Sequence, residues 1–153
     1  MIGMLWALAL LFTTETVSEH DAMIAVFKVS QEGQEIQLEV NFDIEDYHTI
    51  NNLSADEVNA SQLTQYLNKT TNWTFNGEAL ADKIMVTDLV AQGEHYHATC
   101  QVGSMESTIS EISIKNEFLL PLEGHSNIIM IDLNGKSRDF RMHAERKSIE
   151  FTY

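Results

Sequence analysis

Residues 35–44 alternate without a break. Ile36, Leu38, Val40, Phe42 and Ile44 fall on one side, and Gln37, Glu39, Asn41 and Asp43 on the other. A period of two belongs to a half-buried strand, whereas a helix would scatter these side chains around its axis. The chain is therefore committed to a sheet with one face in a core. Residues 23–30 supply a partner strand, and Gly33 within 31–34 marks the turn of an antiparallel hairpin.

The second half repeats this logic. Strands are expected over 83–91, 95–102, 110–120, 126–133, 137–143 and 147–153, with a short one over 72–75. In 95–102 the inward residues are Tyr96, Ala98, Cys100 and Val102; the strand over 110–120 ends before Pro121. Asn76-Gly77 and Asn134-Gly135 are the pairs that tight hairpin turns require. Ser54-Ala-Asp-Glu57 has the form of a capping box. Val58, Gln62, Leu63, Tyr66 and Leu67 follow at helical spacing, so a helix is expected over 55–69, on the outside of a sheet. Residues 45–52 fit one short helical turn. The expected fold is mainly β: an antiparallel β-sandwich of about eight strands with one crossover helix. No internal repeat and no linker interrupts it.

Residues 1–12 carry no charged side chain, and Thr16-Val17-Ser18 places small residues at −3 and −1 of a cut after Ser18. This matches the apolar region and cleavage site of an export signal, although no Lys or Arg precedes it. A helix of about 12 residues rises roughly 18 Å, short of a ~30 Å hydrocarbon core, so no transmembrane anchor is expected. The expected organisation is a signal peptide over 1–18 and a single β-sandwich-like domain over 19–153. Removing 18 of 153 residues leaves 135, enough to bury a core without staples. Cys100 is the only cysteine, which excludes an internal disulfide and a multi-cysteine zinc site. Sequons at Asn52, Asn59, Asn68 and Asn72 matter only in a host that glycosylates.

Charge is unevenly spread. The net is −14, from nine Lys+Arg against 23 Asp+Glu, which argues against a nucleic-acid partner. Residues 1–135 hold four basic and 20 acidic residues, while 136–153 hold five basic and three acidic. The five are Lys136, Arg138, Arg141, Arg146 and Lys147. They fit either a positive patch for an anionic partner or the charged positions that protect a sheet edge; edge protection is the expectation.

Candidates for chemistry are few. His95 and His97, at i and i+2 of a strand, share a face opposite Cys100 and have the form of a metal-ligand pair. Zinc needs three or four ligands, so these two are expected to be surface residues. His20 stands second after a cut behind Ser18, or third after a cut behind Val17. In the third position, a free amine, two backbone amides and the imidazole make a square-planar nitrogen set for Cu(II) or Ni(II). Asp43, Glu45, Asp46, Asp56 and Glu57 form an acidic run without the EF-hand spacing. No nucleophile elbow or glycine-rich phosphate loop occurs. Cys100 with His125 or His143 would make a thiol–imidazole pair, but Cys100 falls on the apolar face, where a thiol is inert packing. Trp73 is expected to cap the core.

The order of features resembles a family of small exported proteins of Gram-negative bacteria known only as a domain of unknown function. The parts are His20, the first hairpin running into Asp43-Ile-Glu-Asp46, the helix ending Tyr66-Leu67, and Phe75-Asn-Gly77. Asn116-Glu-Phe-Leu-Leu120, Ser126-Asn-Ile-Ile129 and Leu133-Asn-Gly-Lys136 complete it. The resemblance spans nearly the whole mature chain and implies a secreted, mostly β domain in a bacterial envelope. It implies no activity, cofactor or catalytic residue. The expectation is an exported periplasmic, non-enzymatic module that binds or scaffolds another envelope protein. The alternative is a periplasmic protein that handles Cu, Ni or Zn, motivated by six histidines, seven methionines and negative charge. A hydrolase would rest only on carboxylates with no assigned place.

Overall fold

The computed structural model describes residues 23–54, 58–80 and 83–153. The expected signal peptide with its expected cut, and His20, lie outside the described residues, as do Asp56 and Glu57. Elements run β1 (Ile24–Glu32), β2 (Glu35–Asp43), α1 (Ile44–Asn51), α2 (Ala60–Thr70), β3 (Thr71–Phe75), β4 (Glu78–Ala79) and β5 (Met85–Gln92). Then come β6 (His95–Ser104), β7 (Glu111–Asn116), β8 (Ser126–Leu133), β9 (Lys136–Met142) and β10 (Ser148–Thr152).

Two sheets form, ordered β5-β6-β2-β1-β8-β9 and β10-β7-β3-β4. The sandwich expectation holds: among the described residues each expected segment forms a strand, the two-residue β4 is added, and the short helical turn expected over 45–52 forms as α1. The pairing is antiparallel except between β1 and β8, which run parallel with Val26 opposite Ile128. The chain visits the small sheet between β6 and β8, so β8 re-enters beside β1 in the same sense. Alternation cannot report this, because it specifies which face is buried and not which neighbour is paired.

The inward face of β2 is Ile36, Leu38, Val40 and Phe42, all buried, as the alternation requires. Ala25, Phe27 and Val29 of β1 join them, and Trp73, Phe75, Ile112 and Ile114 face them from the small sheet. Phe27 and Trp73 meet across the core at 6.4 Å between ring centroids. Trp73 thus lies within the core rather than capping it, and its indole N–H has no partner among the described residues.

Two expectations shift. The helix opens at Ala60, not Ala55, because Asn59 is extended (φ −144°, ψ 166°) and caps it reciprocally with Gln62. Leu63 and Leu67, one turn apart, bury its inner face. The expected strand 110–120 stops at Asn116. There the Asn116 side chain accepts from Phe118 N at 2.9 Å, and Leu119 adopts a left-handed backbone (φ 54°). Such local side-chain bonding competes with the ladder and turns the chain before Pro121.

Candidate functional site

The helical end of the sandwich brings together Asp43, Asp46 and His125 of the side chains singled out above. Asp43 ends β2 as the N-cap of α1, its Oδ1 accepting from Asp46 N at 3.0 Å. Asp46 points inward, its Oδ2 3.5 Å from Nδ1 of His125. The His125 side chain is completely buried, and neither ring nitrogen has a hydrogen-bond partner among the described residues. Burial holds the His125 imidazole below its usual range, against the opposing pull of Asp46. Burial, reinforced by Asp43, raises the Asp46 carboxyl. Beside them Asn127 Nδ2 donates to Asn116 Oδ1 at 3.0 Å and to the Phe118 carbonyl at 2.8 Å. Two of the segments quoted for the resemblance, 116–120 and 126–129, therefore meet in the core. The cluster resembles a catalytic pair only in composition, because its imidazole reaches no solvent.

Nearby, His48 Nε2 lies 3.2 Å from the Tyr96 hydroxyl. An open cleft of about 250 Å³ separates α1 from α2, lined by Tyr47, Asn51, Gln62, Gln65 and Tyr66 among others. Burial pushes the Tyr47 hydroxyl up to about 12.

His95 and His97 are exposed on β6, where Asp43 and Asn41 are their register partners on β2. Asp43 is already occupied as the α1 cap. Among the described residues no group of three or more His, Cys, Asp or Glu side chains is placed to hold a metal ion. The acidic run is dispersed by the fold: Asp43 caps, Asp46 faces His125, and Glu45 is exposed. Cys100 is buried, with its thiol pushed up to about 12 by burial alone, while His125 is turned to Asp46. The thiol–imidazole pair is not formed.

A different kind of site lies where the last two strands end both sheets. β9 is an edge of the large sheet and β10 an edge of the small one. They meet through Phe140 and Phe151, whose ring centroids are 4.9 Å apart, and Phe151 in turn lies 5.5 Å from Tyr153, the residue that follows β10. Lys136 Nζ lies 5.5 Å from the centroid of the Tyr153 ring. All three aromatics are half-buried. Lys136 and Arg138 share the inward face of β9 with Phe140 and Met142 by strand parity, yet both are exposed. Lys147 is engaged by Glu117 at 2.9 Å, which also binds Lys115 at 2.6 Å; these partners hold the Glu117 carboxyl below its usual range. Lys136, Arg138, Arg141 and Arg146 form no ion pair among the described residues. Arg141 donates to the Ser126 hydroxyl at 3.1 Å. The charge split along the chain marks these cations, but the juxtaposition of Lys136 and Arg138 with three aromatics depends on β9 and β10 ending different sheets on the same side.

No helix among the described residues is long and apolar enough to cross a membrane. Neither a scan of protein-family models nor a search of curated proteins gives a match to this chain.

Proposed function

We propose that this chain is an exported, non-enzymatic module of a bacterial envelope that binds another protein through its β9–β10 side. The observation that carries the reading is that Lys136 and Arg138, which form no ion pair among the described residues, share the face of β9 that carries Phe140, beside the half-buried Phe151 and Tyr153, in a chain whose net charge is −14. Aromatic rings and arginine supply contact area and directed charge at protein interfaces. The apolar residues 1–12, followed by small residues at Thr16 and Ser18, support export.

The test places a photo-crosslinking side chain at Arg138 on β9, and separately at Asp88 on the opposite edge strand β5, in the native host. The expected result is one discrete crosslinked protein from position 138 and none from 88. Equal capture from both edges, or none from 138, overturns the binding reading. The intact mass of chain recovered from the envelope should correspond to a start at Glu19, within about two residues. Retention of Met1 overturns the export reading.

A further inference from the structure

The β8–β9 hairpin closes with Leu133 opposite Lys136 across the two-residue turn Asn134-Gly135. Both turn residues have positive φ, 55° and 69°, the signature of a type I′ turn. The closing pair of such a hairpin exchanges both backbone hydrogen bonds, and bonded pairs alternate from there. Arg138, Phe140 and Met142, opposite Ile131, Ile129 and Asn127, therefore turn their backbone groups toward β8. Ser137, Asp139 and Arg141 turn theirs away, toward the open side of the sheet, where β9 has no neighbouring strand.

Resting on the binding reading above, we infer that β9 receives an extended acidic segment of a partner protein as an added strand. Backbone groups at Ser137, Asp139 and Arg141 would pair with it, and its acidic side chains would meet Lys136, Arg138 and Arg141. Strand addition to a sheet edge draws affinity from main-chain bonds and selectivity from alternate side chains. Charge chooses the occupant: residues 136–153 carry five basic and three acidic residues, against four and 20 elsewhere. Pairing with β9 of a second copy would bring Lys136, Arg138 and Arg141 of both chains to one edge, and like charges across a pair of strands oppose it. The aromatic ledge of Phe140, Phe151 and Tyr153 lies under the inward face of β9 and offers apolar contact to every second residue of the added strand.

The experiment titrates the mature chain with a fluorescein-labelled decapeptide of alternating Glu and Thr, read by anisotropy at ~50 mM salt. A second peptide has the same sequence with every amide N-methylated, and heparin serves as a polyanion without strand-forming backbone. Saturable binding is expected for the plain peptide. It should weaken at least about tenfold on N-methylation, and similarly in the Arg138→Glu/Arg141→Glu variant. Ser137→Pro, which removes one outward N–H without changing charge, should weaken the plain peptide and leave heparin binding unchanged. Equal binding of both peptides overturns strand addition while keeping an anion-binding surface. No peptide binding, or binding indifferent to the charge reversal, overturns the inference. A concentration-dependent doubling of mass in sedimentation, lost with the charge reversal, would assign the edge to a second copy and overturn it too.

Discussion

At the scale of residues, burial decides which chemical groups are available. Cys100 is buried on the inner face of β6 with its thiol pushed up to about 12, so it should resist thiol reagents in the native protein and react on unfolding. Rapid native labelling, followed by mass spectrometry, would show that the β6 register is off by one. His125 gives a pH dependence of definite sign. Burial holds its folded pKa below the ordinary imidazole value of about 6.5, so under about pH 6.5 the unfolded chain takes up a proton that the folded chain does not. His125 should therefore cost stability as pH falls from 7.5 to 5.5, and urea titrations should show a shallower decline in His125→Asn. Asp46 acts oppositely: its raised pKa means that protonation on folding favours the folded state as pH falls through that value. An equal decline in both proteins would remove His125 as the source. The pair His95 and His97 was legible as a pattern, and the missing third ligand was not, because neighbours on β2 and β5 are set only by sheet order. Calorimetry with Zn(II) or Cu(II) at ~0.15 M salt should give no one-to-one isotherm that the His95/His97 double alanine variant loses.

At the scale of elements, alternation and caps carried different information. Strand faces followed parity, so Ile131, at 1% exposure, is core and Ile131→Ala should cost about 2–5 kcal/mol in chemical denaturation. A cost below ~0.5 kcal/mol would take β8 out of the core. Two capping sequences lie within a few residues of each other, Ser54–Glu57 and Asn59–Gln62, and spacing alone does not choose between them. Asn59 with Gln62 closes the reciprocal box that starts α2, and Asn59→Ala should cost about 1 kcal/mol. The strand expected over 110–120 was cut by Asn116, whose side chain bonds Phe118 N and Asn127. That competition depends on Asn127 arriving from β8, a partner distant in sequence.

At the scale of the whole molecule, charge and topology act together. A chain of net −14 repels itself, so raising salt from ~10 to ~150 mM should raise its unfolding temperature in a thermal melt. A fall would mean that the surface ion pairs outweigh the repulsion. The sequence by itself determined a mainly β sandwich, the inward residues of most strands, two tight hairpins and an uneven charge. These are properties of period, turn chemistry and composition, each read within a window of about ten residues. Only the tertiary structure decided that β1 and β8 run parallel, that Asn116 meets Asn127, that Asp46 faces His125, and that β9 and β10 form one basic, aromatic side. Each of these joins segments far apart along the chain. Local pattern specifies which face of a strand is buried but leaves its neighbours free, and sheet order is selected by how the two inner faces pack as a whole.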